Sequence, residues 1–454
     1  MRKFTRSKAL LRRNEQWIPG GVVSLNRKAA PNICFARGQG SHVWDLDGNE
    51  YIDYHAGFSA SFLGHNDPDV NAAVIGALEG QRVLMGAGPT DLEGELAELV
   101  CRHVPTVERV QLTASGSEAT YHAIRIARAA TGRDHVIIMQ GGYNGWHNDV
   151  AANVASPLAE VGPRLCPGEY PYDGLSGGVP HAHKQLVHVV NFNDLDSVLR
   201  VVERFPVACV ITEPILQNIG LIKPLPGYLA GLRRMADEYG FLLVFDEVKT
   251  GFRYGLGGYQ SLCGVAPDLS AFGKAIANGH AMGAVGGKAR WMDFFVHPDR
   301  ARRVLIAGTY HAHPLATAAA IATLRKLASP EHAVYTHVAR IGEMLAAGLR
   351  SIFDEAGVPC WVAQERSAFC VYFMDHEPRD YHDVLRYHDA TLDQAYRAEI
   401  IEHGVFHFPL PTKQGSVSFA HTLADLEETL AMTRLAVRRL ACRPVAPPVP
   451  AIAH

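Results

Sequence analysis

The feature that most constrains this chain is an alternation of short apolar runs with helical patterns between residues 105 and 325. Six runs read as strands: Arg109–Thr113, His135–Met139, Leu186–Val190, Val207–Thr212, Phe241–Phe245 and Ala284–Gly287. Several, such as Phe241-Leu242-Leu243-Val244-Phe245, lack polar alternation, the pattern of strands covered on both faces. Helical periodicity fills the gaps at Ser117–Ala130, Leu195–Phe205, Gly227–Tyr239 and Pro314–Leu327. Parallel neighbours need a crossover and a helix supplies one, so this region predicts an α/β domain built on a mostly parallel sheet.

The flanks read differently. Residues 33–54 carry apolar runs on either side of Asp47-Gly48, a hairpin turn signal. Helices are expected near 332–356, 388–403 and 423–441, with short strands between. The expected division is 1–80 and 331–442 as two parts of a smaller α+β domain, 81–330 as the large domain, and 443–454 as a proline-rich tail.

Composition narrows the function classes. Hydrophobic residues make up 48% and charged residues 20%, enough apolar surface for a core and far from a disordered chain. Lysine and arginine total 43 against 46 acidic residues, a net charge of −3, so nothing draws the chain to nucleic acid. The longest weakly polar stretch, Pro314–Leu324, is well short of the ~18 residues that span a bilayer. The basic residues before Asn14 lead into no apolar run, so no secretory signal is expected. Eight cysteines without CxxC spacing read as reduced thiols of a cytoplasmic protein.

Four motifs carry chemistry. Asp246-Glu247 ends an apolar strand, where open α/β sheets bind ligands, although a strand-end carboxylate also caps ordinary turns. An ATPase acid in that position requires GxxxxGK[ST]; here Gly273-Lys274 is followed by Ala275. No GxGxxG opens a helix after a strand either. Lys274 follows an apolar approach and precedes the glycine-rich stretch 278–283, the enclosure an imine-forming amine needs, whereas most lysines are simply solvated. Thr113-Ala114-Ser115-Gly116-Ser117-Glu118 opens a helix with small residues, fit either for an anion or for plain N-capping. Gly141-Gly142-Tyr143-Asn144-Gly145-Trp146 follows a strand and offers an aromatic ring to a bound ring or to a decorated turn. The paired histidines His181/His183 and His311/His313 lack further ligands at standard spacing, so no metal is expected.

Anion nest, aromatic, strand-end acid and lysine, in that order, describe a pyridoxal phosphate site. The sequence resembles the class III aminotransferases, and within them the glutamate-1-semialdehyde 2,1-aminomutase-like branch, from Pro19 to about Thr422. The resemblance rests on Pro19-Gly20-Gly21-Val22, Leu63-Gly64-His65, Ser115 to Ala119, Glu213-Pro214, Asp246 to Arg253, Lys274, Gly308-Thr309 and Pro314-Leu315-Ala316. It implies the fold type I, aspartate-aminotransferase-like architecture: a seven-stranded, mostly parallel sheet with one antiparallel strand, plus the split smaller domain. It further implies Lys274 bound to the cofactor as an imine and moving the substrate proton, and Asp246 on the pyridine nitrogen. Ser115, Gly116 and Ser117 are implied at the phosphate, Tyr143 and Val248 on the ring faces, and Glu213 and Asn218 beside the cofactor. Thr309 is implied at the phosphate of a neighbouring subunit, hence an obligate homodimer with shared sites.

Departures from the branch pattern fall on the substrate side. Arg27 matches its carboxylate-binding arginine. Its Ser-Trp-Gly-Pro is here Gly57-Phe58-Ser59-Ala60, its Tyr-His-Gly-His is Tyr143-Asn144-Gly145-Trp146, and an acidic position is Lys413. Arg27, Phe58 and Lys413 are therefore the candidate substrate residues, and 156–180 stands where the branch has a mobile lid. The expected function is amino transfer between an amino donor and a keto or aldehyde acceptor. Intramolecular transfer, as in the aminomutase, is the second expectation, and an epimerase on the same scaffold the third.

Overall fold

The structure is a computed structural model that describes residues 2–84 and 88–441; the proline-rich tail lies outside them. At its centre is a seven-stranded sheet. Its strand order is Arg109–Thr113, Gly283–Gly287, Leu269–Gly273, Leu242–Glu247, Val207–Thr212, His135–Met139, Val187–Val190. Gly283–Gly287 runs antiparallel to both neighbours, and the remaining pairs are parallel. The fold is the type I architecture that the resemblance implies.

All six expected strands are present, with ends shifted by a residue or two. The seventh, Leu269–Gly273, is Leu-Ser-Ala-Phe-Gly and has no apolar run to betray it. Its Ser270 is buried because Gln260 Nε2 donates to Ser270 Oγ over 3.2 Å. The strand expected to stop at Phe245 continues through Asp246 and Glu247. Glu247 tolerates full burial because it accepts from the backbone of Tyr259 (2.9 Å) and Gln260 (3.0 Å) and from Gln260 Nε2 (3.1 Å). Asp246 is thereby carried to the carboxyl edge of the sheet, where parallel strands bind ligands.

The expected hairpin forms between His42–Asp45 and Glu50–Asp53, with Gly48 at φ +90° in its turn. Val405–Phe406 pairs parallel to Glu50–Asp53, so the two ends of the chain share one sheet. Helices Val334–Glu355, Ala390–Glu402 and Leu423–Ala441 lie where expected. One core runs from Tyr54 and Phe62 of the N-terminal flank through Phe252 and Phe272 to Phe369.

Ala56, Gly57, Phe58 and Ser59 have φ of +49°, +60°, +58° and +69°, a left-handed turn that costs about 1–2 kcal/mol per non-glycine residue. Asp53 Oδ1 accepts from the backbone of His55 (2.8 Å) and Ala56 (3.1 Å), and the hydroxyls of Ser59 and Ser416 meet at 2.7 Å. Buried Arg253 also donates to the Ser59 carbonyl. These contacts hold the turn against its strain. The 156–180 stretch, which stands where the branch has a mobile lid, is tethered by Arg164 to Asp380 and Asp383, both at 2.6 Å, and by Tyr381 to the Ser156 carbonyl (3.0 Å).

Candidate active site

A cavity of about 370 Å³ opens at the carboxyl edge of the sheet. Ser115, Gly116, Ser117, Tyr143, Asp246, Val248 and Lys274 all line it, joined by Asn144, Ala60 and the 279–282 loop. Seven of the candidate residues, spread over 160 positions of sequence, thus meet at one place because the strands that precede them end on the same edge.

Ser115 caps the Gly116–Thr131 helix: its Oγ accepts from Glu118 N at 3.3 Å, and the Glu118 carboxylate accepts from Ala114 N at 2.9 Å. Capping does not close this end of the helix, because Gly116 and Ser117 still face the cavity. Gly116 is required for packing. A Cβ there would lie 2.6 Å from Val248 Cγ1.

Asp246 is almost fully buried, which raises its pKa, while Asn144, the Val248 N–H and Lys274 pull it back down. Its Oδ1 accepts from Val248 N at 2.9 Å and its Oδ2 from Asn144 Nδ2 at 2.8 Å. Lys274 begins a tight turn directly after its strand and sits at φ +49°, a strained backbone for a lysine. Burial pushes the Lys274 amine below its usual range, against the opposing pull of Asp246 and Glu213. A lowered pKa favours the neutral amine, the form in which a lysine can act as a nucleophile or accept a proton.

Glu213 organises the next layer. Its carboxylate accepts from Tyr143 N at 3.1 Å and Gln217 N at 2.9 Å, and burial raises it to about 7. Asn218 Nδ2 donates to the Gly141 carbonyl at 3.3 Å. Lys413 is turned inward from its loop and donates to Asn218 O at 3.2 Å. The loop is held by Arg397, which donates to the Lys413 carbonyl at 3.0 Å and pairs with Asp393 at 2.6 Å. Phe58 packs edge-on to His55 with centroids 4.3 Å apart.

Glu213, Asn218, Phe58 and Lys413 lie outside the cavity lining, and two further candidates stand apart altogether. Arg27 is exposed on the short turn Leu25–Arg27, and Thr309 is exposed as well; neither lines this chain's cavity. Of the four histidines with metal-like spacing, His183 Nε2 meets Asp149 at 2.8 Å and His311 Nε2 meets Glu118 at 3.0 Å. Sequence reading assigned no role to Asn144, Lys249 or His55. Lys249 carried a signal, since it stands three residues after Asp246 in the most specific motif.

No helix among the described residues is long and apolar enough to cross a membrane. The family model for class-III aminotransferases matches residues 24–405. A glutamate-1-semialdehyde 2,1-aminomutase of Syntrophomonas wolfei is 37% identical over 94% of this chain and 96% of its own. An ω-transaminase from Sphaerobacter thermophilus superposes with a TM-score of 0.88 at 32% identity, covering 96% of this chain and 97% of that one. A transaminase solved with pyridoxal phosphate bound does so with a TM-score of 0.85 at 28% identity, covering 97% and 99%. With the cavity, its lysine and its buried aspartate, these likenesses make the chain a member of the class-III aminotransferase family, a pyridoxal-phosphate-dependent enzyme of amino-group transfer.

Proposed function

We propose that this enzyme transfers an amino group from a carboxylate-bearing amine to a keto or aldehyde acceptor, and the observation that carries the proposal is Lys413 drawn onto the carbonyl of Asn218, whose side chain in turn holds the Gly141 carbonyl next to Tyr143. The residues fit the cofactor. Gly116 and Ser117 hold its phosphate at the helix start, Asp246 keeps a proton on the pyridine nitrogen, and Tyr143 and Val248 bound the ring. Glu213 sets the Tyr143 and Gln217 backbones, and Asn218 holds the Gly141 carbonyl of the loop that carries Tyr143. Pyridoxal phosphate, when bound, supplies the electron sink that acidifies the substrate Cα–H bond. Lys274 binds the cofactor, then takes and returns the Cα proton. Thr309 serves the neighbouring subunit of a homodimer, a role suited to its exposure, and exposed Trp17, Val23, Leu25 and Tyr310 suit such an interface.

Internal amine migration is the second reading, and the curated relative weighs toward it: the aminomutase likeness at 37% exceeds the ω-transaminase likeness at 32%. Against it stands charge. That reaction passes a species with a free ammonium, and Lys413 repels it, by a gross term of about 3 kcal/mol at ~6 Å and an effective dielectric near 20. Incubation with glutamate-1-semialdehyde and no acceptor separates the two. Efficient 5-aminolevulinate formation establishes the aminomutase; inertness there, with conversion of other amines in a donor screen, establishes the transaminase.

A further inference from the structure

Asn144, which holds Asp246 through its side chain, is itself held through its backbone. Thr120 Oγ1 lies 2.6 Å from the Asn144 carbonyl, 3.0 Å from the Ser117 carbonyl and 3.2 Å from His147 Nε2. Two oxygens at 2.6 Å repel unless a proton lies between them, so the single hydroxyl proton of Thr120 goes to Asn144. The hydroxyl therefore accepts from His147, and Nε2 carries a proton. Nδ1, the other ring nitrogen, is buried without a hydrogen-bond partner and faces Asp149 Oδ2 at 3.7 Å. A bare lone pair there confronts a carboxylate, whereas an N–H pairs with it.

Asp149 gathers cations. Its Oδ1 accepts from Arg128 Nη2 at 2.6 Å and meets His183 Nε2 at 2.8 Å, which leaves Oδ2 to His147. Burial works against the charge of this carboxylate, yet His147 and Arg128 hold it well below the usual carboxylate range. Burial likewise raises the pKa of Asp246, and the charge of His147 is among the influences that lower it again. Asn144 contributes no charge of its own. The tie from Asp149 through His147, Thr120 and Asn144 to Asp246 is buried at every member. The remaining titratable group against His147 is Tyr121, with ring centroids 5.3 Å apart.

We infer that His147, protonated on both ring nitrogens, is a positioning residue for Asp246. It orients Asn144 through Thr120 and supplies the positive charge that Asn144 lacks. A cation that favours the ionised carboxylate favours a proton on the cofactor's pyridine nitrogen. The inference rests on the pairing of Asp246 with that nitrogen.

Solid-state NMR of the holoenzyme loaded with nitrogen-15-labelled pyridoxal phosphate reads the proton on the ring nitrogen. We expect the pyridinium signal in the native protein. In His147→Gln, whose carboxamide still donates to Thr120 but carries no charge, it should move toward neutral pyridine. A second measurement compares the affinity of the cofactor-free full chain for pyridoxal phosphate and for its 1-deaza analogue, which lacks the ring nitrogen. His147→Gln should weaken the first about three- to tenfold and leave the second unchanged, whereas a residue that only packs changes both alike. Native protein suffices if the variant does not fold. Trp146-His147 is the single Trp-His pair of the chain, so carbonyl-labelled tryptophan with nitrogen-15 histidine isolates its imidazole signal. A neutral His147 imidazole at neutral pH, an unmoved pyridinium signal in His147→Gln, or equal loss of both cofactors overturns the inference. Asp246→Asn separates it from its foundation. An unmoved ring-nitrogen signal there removes the Asp246 pairing as well, while a shift in Asp246→Asn and none in His147→Gln strikes His147 alone.

Discussion

The carboxamide of Asn144 donates from Nδ2 to Oδ2 of Asp246 across 2.8 Å, joining residues 102 positions apart. A neutral donor in this place orients the carboxylate without adding charge, which suits the proposed pairing of Asp246 with the cofactor's pyridine nitrogen. Asn144→Ala removes one of the two hydrogen bonds to a buried carboxylate. It should raise the Asp246 pKa further and lower kcat/KM about ten- to hundredfold, with the pH dependence of the cofactor spectrum displaced. Asp246→Asn sets the limit of this series, retaining cofactor and losing more activity than Asn144→Ala. A wild-type spectrum and rate in Asn144→Ala would remove Asn144 from the machinery.

Reduction of the holoenzyme with borohydride, followed by peptide mapping, should place the cofactor on Lys274 and on no other lysine. Lys249 and Lys413 are the natural controls, because burial lowers the pKa of each within reach of the Glu213 charge. A label on either would reverse the assignment.

Gly116→Ala should lower affinity for pyridoxal phosphate, since its Cβ would lie 2.6 Å and 2.8 Å from the two methyl groups of Val248. Overpacking of this kind costs about 1–3 kcal/mol, roughly ten- to hundredfold in binding if it falls on the holo form. Val248→Ala on top of Gly116→Ala makes room and should restore part of the loss. An additive double variant would mean the two side chains do not meet.

Much of this protein is legible in its sequence because burial leaves a local mark. Val207–Ile211 and the run from Leu242 to Phe245 are apolar throughout since both faces are covered, and the spacing from Asp246 to Lys274 marks the cofactor chemistry. Leu269–Gly273 left no such mark, because Ser270 is buried through a hydrogen bond to Gln260 that only the packed sheet creates. The substrate side was decided by tertiary structure. Lys413 meets Asn218 across 195 residues, Asn144 meets Asp246 across 102, and Arg27, aligned by a motif, lies exposed on this chain. Strand burial is a property of neighbouring residues, whereas the charge balance of a cavity belongs to side chains that meet only when distant strands and loops end at one edge of a sheet.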